Sequence, residues 1–277
     1  FNANMLANEM FLDSSSLRSS VVSHAKTLGY VPTSARASKA TVDVTLNTND
    51  TSATMPSGTV FNTTVDDVSY QFSTISDVTK SNTGNTIPFV GIDIYEGSFI
   101  TTRYTVDSSD VDQRFIITDN RADTTTLTVK VQTSSTDSSS NTFTEATDIT
   151  QVTTGSNVYF LQEVEAGLFE VYFGDGIIGT ALSDDNIVIL TYVVSNKTAA
   201  NGASIFTNSA AIASITDVSV ATSATSTAGS EPESISSIKY NAPLDFASQG
   251  RCVTSEDYKV FAKKYFPNTQ SVQEFGG

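Results

Sequence analysis

From about residue 40 the chain changes period. Thr41-Val42-Asp43-Val44-Thr45-Leu46 alternates polar and apolar side chains one by one. Only an extended strand places such a set on a single face, because successive side chains there point to opposite sides. Gly, Asn, Asp and Ser clusters then interrupt the chain at short intervals. Between them lie strand candidates at Thr59–Phe61, Tyr70–Ile75, Ile92–Tyr95, Phe99–Val106, Arg114–Ile117 and Thr126–Gln132, with another beginning at Phe143 after the loop tip 137–141. Thr, Val and Ile dominate these stretches, which suits pleated, half-buried surfaces. The middle of the chain is therefore expected to be all-β and antiparallel, a sandwich or a barrel-like sheet.

Two further β signals are sharper. Leu168 to Gly179 sets Asp175-Gly176 between Phe169–Phe173 and Ile177-Ile178, so a tight hairpin turn is expected there, with Gly174, Asp175, Gly176 and Gly179 as structural turn residues. Ile187 to Val194 is an almost continuous apolar run and reads as a strand buried on both faces. Residues 218–230 are small and polar and read as a mobile connection or an exposed edge.

The ends are helical. Leu17, Val21, Ala25 and Leu28 form one apolar stripe, with Asp13 placed as an N-cap and Gly29 as the left-handed residue that closes the helix before Pro32. Leu6, Met10 and Phe11 suggest a shorter helical turn in front of it. Near the other end Ser230 and Glu233 have capping-box spacing, Ile235 and Ile238 follow as a short apolar face, and Pro243 is expected to stop that helix. Thr254 to Asp257 opens a second helix, with Tyr258, Phe261, Ala262 and Tyr265 on one side, Lys263 and Lys264 in its last turn, and Pro267 after it. Ser271 to Phe275 reads as the start of a strand cut off at Gly277, and a first residue of Phe1 reads as a fragment that leaves a removed leader open. The expected fold class is α+β and mainly β: a helical segment over 1–40, one or more β-rich domains over 41–215, and a small truncated α/β segment with two short helices over 216–277.

Charge and residue counts exclude several functions. Thirty acidic against 15 basic residues give the chain a formal charge of −15, a field that repels nucleic acid. One Cys allows no internal disulfide framework or Cys-rich zinc site, and one His allows no His cluster. No apolar run approaches the ~20 residues needed to span a bilayer as a helix.

Catalytic readings fare no better. His24 lies on or beside a buried helical stripe and reads as structural, and Cys252 reads as a small core residue. Asp107, Asp110 and Asp112 lack the central Gly and closing Glu of a calcium loop and read as a solvated turn. The glycines at 174–179 lead from strand to strand without the Lys of a phosphate loop. Sequon matches at Asn49, Asn62 and Asn196 are what chance delivers in a Ser/Thr-rich chain. Thirty acids offer many carboxylate pairs for glycoside hydrolysis, and nothing singles one out. No catalytic, cofactor or metal residue is assigned.

Three segments in order are similar to one family: Phe169-Glu170-Val171-Tyr172-Phe173-Gly174-Asp175-Gly176-Ile177-Ile178-Gly179 with the strand ending at Tyr192; Gly229-Ser230-Glu231-Pro232-Glu233-Ser234-Ile235 through Ala242-Pro243-Leu244; and Arg251-Cys252-Val253-Thr254-Ser255-Glu256-Asp257-Tyr258 with its helix. Met55-Pro56-Ser57-Gly58-Thr59-Val60-Phe61 adds a weaker fourth. Together they resemble the baseplate wedge proteins of contractile-tailed bacteriophages, the baseplate J-like family, over roughly the last 110 residues. Cys252 stands where relatives carry a small residue, and 77–157 match no motif.

The resemblance implies a structural, non-enzymatic subunit of the virion tail, assembled in the host cytoplasm, needing no cofactor, and joining a ring that transmits the signal for sheath contraction. Its implied partners are other wedge proteins, a second copy of itself, and sheath-initiating and hub-adjacent tail proteins. Ile235, Ile238, Arg251, Asp257, Tyr258, Phe261 and Tyr265 become candidate interface or scaffold residues, their apolar faces expected to lie exposed until another chain covers them. A glycan-binding tail-fibre or adhesin module is the alternative from the binding class; a two-carboxylate glycosidase ranks behind both.

Overall fold

A computed structural model describes residues 2–110, 113–146, 149–265 and 272–273. It is mainly β with a few helices. The first sheet has five strands in the order β14 (Val218–Thr227), β1 (Lys39–Asn47), β6 (Thr86–Glu96), β4 (Val68–Ser73) and β3 (Val60–Val65). A two-stranded ribbon, β2 (Ser52–Met55) with β5 (Val78–Ser81), packs with it. In β1, Ala40, Val42, Val44 and Leu46 are buried while the residues between them are not, which is the burial the period-two pattern requires. They join Phe61, Phe72, Phe89 and Met55 in the first core.

The second sheet has seven strands in the order β7 (Ser98–Thr105), β13 (Ile187–Val194), β9 (Ala122–Gln132), β10 (Ser140–Glu145), β11 (Val158–Glu163), β12 (Phe169–Phe173) and β8 (Phe115–Ile117). It curls until its ends meet: the Tyr104 hydroxyl on β7 donates to the Ile116 carbonyl on β8 at 2.6 Å, and the Tyr104 and Phe115 rings pack edge to face. Inside lies a second core around Val129, Phe143, Leu161, Val171 and Leu190. Pairing is antiparallel except between β10 and β11, which run parallel. This sheet is an insertion in the first. The chain leaves at Glu96, the last residue of β6, and returns after Val194.

One strand expectation needs correction and another is decided between its two readings. β13 is central, hydrogen-bonded to β7 and β9, but its residues alternate between buried and half-buried instead of being buried on both faces. Of the two readings of 218–230, the exposed edge is the one the structure has: most of the segment forms β14, the edge strand of the first sheet, paired with β1. Strands β2, β5 and β11 were absent from the sequence reading.

Helices α1 (Asn2–Glu9), α2 (Arg18–Thr27), α3 (Ile235–Ser248) and α4 (Ser255–Tyr265) supply the rest. The end of α2 is as expected: Gly29 is left-handed at φ +77°, and the Gly29 and Tyr30 amides bond back to the Lys26 and Ala25 carbonyls, both at 3.0 Å. Its start is not capped by Asp13. Leu17 holds the cap position without a side-chain bond, and the Glu9 carboxylate reaches over to accept the Ser16 amide (2.8 Å) and the Leu17 amide (3.3 Å). These donors, the Ser16 amide foremost, lower the Glu9 pKa to about 2. The apolar stripe is rotated too: Val21, Val22 and Ala25 are buried and Leu17 is exposed.

In α3 the cap is Ser234, whose hydroxyl accepts the Ser237 amide, while Ser230 instead bridges Arg36 through a pair of backbone bonds. Pro243 does not stop the helix, which runs on to Ser248. A helical proline costs one backbone bond. The buried Ile238 and Ala242 beside it anchor the turn against α2. Pro267 and Ser271 lie outside the described residues, and Val272 and Gln273 are coil.

Candidate functional site

The loop after β12 is not a hairpin. Only Gly176 of the central pair is left-handed (φ +88°), so the mirror-image turn expected for Asp-Gly does not form. β12 already has β11 on one side and β8 on the other, which leaves Ile177 and Ile178 no strand to join. Instead the Asp175 carboxylate accepts the Ile177 amide at 2.9 Å and the Ile178 amide at 3.1 Å, and those bonds hold its pKa below 3.8. Gly176 bonds to the Gly179 carbonyl, and Gly179 and Thr180 bond to Thr153 and Ser156. Gly174 is required by space: a Cβ there would overlap the Ile178 carbonyl oxygen. The result is a stiff loop that exposes Ile177 and Ile178.

The C-terminal candidates separate into two groups. Ile238 is fully buried and Ile235 half-buried against Val21, Val22, Ala25 and Leu28. The expected open Ile235/Ile238 face is therefore covered by α2 of the same chain. At the start of α4, the Asp257 carboxylate accepts the Thr254 amide (2.7 Å) and the Val253 amide (3.0 Å), and Thr254 Oγ1 accepts the Asp257 amide in return. These bonds, with a smaller contribution from Arg251, lower the Asp257 pKa. Arg251 is exposed and donates to Gln249. Tyr258 is exposed and Phe261 half-buried; the Tyr265 side chain lies outside the described residues. Cys252, expected in a core, is exposed on the link between α3 and α4. His24 is structural, its Nε2 lying 2.9 Å from the Glu9 carbonyl.

Most side-chain chemistry sits where the two sheets and the helices meet, and the sequence reading missed it. Arg18 on α2 makes a two-pronged pair with Glu163 at the end of β11 (2.6 and 2.8 Å) and donates to the Glu233 carbonyl. The Glu163 side chain is 1% exposed. The Glu233 carboxylate collects the Tyr30 hydroxyl (2.9 Å), the Thr33 amide (3.1 Å), Ser237 Oγ (2.7 Å) and Asn241 Nδ2 (2.8 Å). Asp123 at the start of β9 accepts the Ala37 amide at 2.9 Å and faces Arg36 at 3.6 Å. Ser34 and Thr124 bond each other at 2.9 Å. Glu96 accepts both the Asn196 amide (2.8 Å) and its Nδ2 (2.7 Å), clamping together the two points where the insertion leaves and returns. Burial raises the Glu96 pKa against these bonds.

A cleft of about 320 Å³ opens at this junction, with Arg18, Asn120, Gly167, Lys197, Glu231 and Glu233 on its walls. Its charges balance, and both cations are already held, Arg18 as above and Lys197 by Glu231. Among the described residues no group of His, Cys, Asp and Glu could hold a metal ion, and no helix is long and apolar enough to cross a membrane. The arrangement is suited to fixing bodies in register.

No family model matches the chain. Among curated proteins it is similar to the baseplate wedge protein gp6 of Enterobacteria phage T4, with 26% identity over 302 aligned residues. That alignment takes in 98% of this chain and 44% of the relative, so the chain spans less than half the length of the protein it matches. The motifs at 169–179, 229–244 and 251–258 and this near-complete alignment point the same way, and the chain is baseplate wedge-like in sequence from end to end.

Proposed function

We propose that the chain is a structural part of a baseplate wedge in a contractile tail, located in the virion and working through protein–protein interfaces. One observation carries the reading: the alignment to a baseplate wedge protein extends over 98% of the chain, including 77–157, where the motifs are silent. The junction supports it, since Arg18, Asp123, Glu163 and Glu233 are all engaged in internal ties. On this reading the protein has no catalytic activity and transmits movement from one body to the next during sheath contraction. It assembles in the host cytoplasm with other wedge proteins, a second copy of itself, and sheath-initiating and hub-adjacent tail proteins. Subunit pairing uses Phe246, Val253 and Tyr258, apolar residues still exposed on and between α3 and α4.

The glycan-binding alternative requires an aromatic-lined groove, and none of the residues lining the junction cleft is aromatic. Cross-linking and mass spectrometry of purified tail particles tests the proposal. Cross-links from this chain to other baseplate proteins are expected. Absence of the chain from the particle, or release of reducing ends from host polysaccharide by the purified protein, overturns it.

A further inference from the structure

Among the described residues, several sheet edges have a partner. On β3, Asn62 exchanges both backbone bonds with Thr207 (2.8 and 3.0 Å), and Asn208 Nδ2 binds the Val60 carbonyl. β7 and β8 are drawn together by the Tyr104 hydroxyl. β14 is different. Ser226 is bonded on its outer side, to Gly202 and Ala203 at 2.8 Å each. From Val218 to Thr225 the one backbone bond on that side among the described residues is the local one from the Val218 amide to the Thr216 carbonyl.

Register shows which groups are open. The Asn47 amide bonds to the Asp217 carbonyl at 3.0 Å, so that pair is a hydrogen-bonded one. In an antiparallel ladder the pattern then alternates. Ser219 and Ala221 turn their backbone groups to β1, and Val218, Val220 and Thr222 turn theirs outward. The Val218 amide is used locally by Thr216. A shift of register falls between Thr41 and Val42, opposite Ala224 and Thr222, so Ser223 is bulged and ends the regular stretch. The outward groups left open over Val218–Thr222 are therefore the Val218 carbonyl and the amides and carbonyls of Val220 and Thr222.

Exposed edges are normally blunted with charge, especially Lys, or with Pro. Val218 to Ser230 contains no charged residue and no Pro, and Ser219, Ala221 and Ser223 present small, exposed side chains. The surroundings are acidic: Asp217 precedes the edge, Asp43 pairs opposite Ala221, and the chain as a whole carries −15. That field repels a second copy and attracts a segment with basic flanks.

We propose that the outer edge of β14, Val218–Thr222, is a docking site for an extended segment of a different protein of the tail, β-branched or small at its centre and flanked by Lys or Arg, which adds as a sixth strand. Backbone pairing supplies the affinity and the acidic rim selects the partner. The proposal rests on the wedge reading for where the partner is found.

Hydrogen–deuterium exchange of the full-length protein, free and within purified tail particles, tests it. Within the peptide covering 218–222, the Val220 and Thr222 amides are expected to exchange fast when free and at least tenfold more slowly in the particle, while the Ser219 and Ala221 amides, bonded to β1, are slow in both. Thr222→Pro removes an outward donor that β1 does not use, and Ala221→Lys puts a charge on the exposed face; both should keep the free protein's melting temperature and lose incorporation, while Ala221→Ser keeps both. Unchanged exchange at 218–222 in a particle that contains the protein overturns the docking site and leaves the wedge reading intact. Absence of the protein from the particle overturns both. Protection that appears in the isolated protein as its concentration rises identifies a second copy as the occupant and overturns the partner proposed here.

Discussion

Arg18→Met isolates the tie between the helical end and the second sheet. It removes both guanidinium bonds to Glu163 and the bond to the Glu233 carbonyl, while the methionine stem keeps much of the packing. Glu163 is then left 1% exposed with no cation beside it. Breaking a buried pair from one side costs about 3–5 kcal/mol, mainly because the remaining charge is stranded. Arg18 is itself 28% exposed, so water screens part of the pair, and the lower end, about 3 kcal/mol, is expected. Glu163→Leu alone should cost about 2 kcal/mol, because a cation that partly reaches water is stranded less severely. The double variant Arg18→Met/Glu163→Leu removes both charges, so the two costs should fail to add by about 2 kcal/mol or more. Urea titrations followed by circular dichroism read all four proteins, with tyrosine fluorescence as a second probe because the chain has 10 Tyr and no Trp. Non-coincident transitions from the two probes would show the bodies unfolding separately, and the cycle would then be read on the second transition. An Arg18→Met cost below about 1 kcal/mol, or costs that simply add, refutes the assignment of Glu163 as a buried, paired carboxylate.

Three further outcomes follow from single contacts. Gly174→Ala drives a Cβ into the Ile178 carbonyl oxygen and should lower the melting temperature more than Gly176→Val, whose Cβ meets only the Ala181 Cβ at an ordinary 3.6 Å and whose strain at φ +88° costs about 1–3 kcal/mol; the reverse order in a thermal melt would contradict the loop geometry. Ile238→Ala empties a fully buried site between α3 and α2 and should cost about 2–5 kcal/mol, read as earlier loss of helical signal on denaturation. The Asp175 carboxylate has a folded pKa below 3.8, so its contribution to the loop is present above pH 3.8 and is lost as pH falls through that lower value. Amide chemical shifts of Ile177 and Ile178 should move together only in that acid range, and an unchanged titration in Asp175→Asn would refute the link.

Much of the first sheet was legible because period-two burial is a local property: Val42, Val44 and Leu46 face inward wherever β1 is placed. The Gly29 ending was legible for the same reason. What failed depended on partners distant in sequence. Asp13 has good cap chemistry, but Glu9 reached the Ser16 and Leu17 amides from the end of α1, a fold-back that no spacing rule encodes. Asp175-Gly176 has the residues of a hairpin, yet β12 gained β8 and β11 as neighbours, and the second arm had no strand to pair with. Pro243 was overruled by the packing of α3 on α2. The junction carried a signal that went unused. Glu163 continues the inward register of Tyr159 and Leu161, and Glu96 that of Ile92 and Ile94. A carboxylate on the buried side of a strand needs a partner, but β11 lay outside the strand candidates and the β6 candidate ended at Tyr95, so neither residue was placed on a buried face.

The polar character of that junction bears on how a wedge-like protein could work. An interface of aliphatic side chains is nondirectional and tolerates sliding, because apolar burial depends on area more than on angle. Here the bodies meet through Glu96 on Asn196, Asp123 on Ala37, Glu163 on Arg18, and Ser34 on Thr124, each a hydrogen bond with its own separation and direction. Such bonds add little net stability, because folding exchanges them for bonds to water, yet stranding one partner in a buried site is expensive. Intermediate angles between the bodies would strand several carboxylates at once. The junction therefore favours a single registered arrangement over a continuum. Gly97 fits the same design: a Cβ there would overlap the Val194 carbonyl oxygen, so only glycine lets the outgoing and returning chains lie close enough for Glu96 to clamp both.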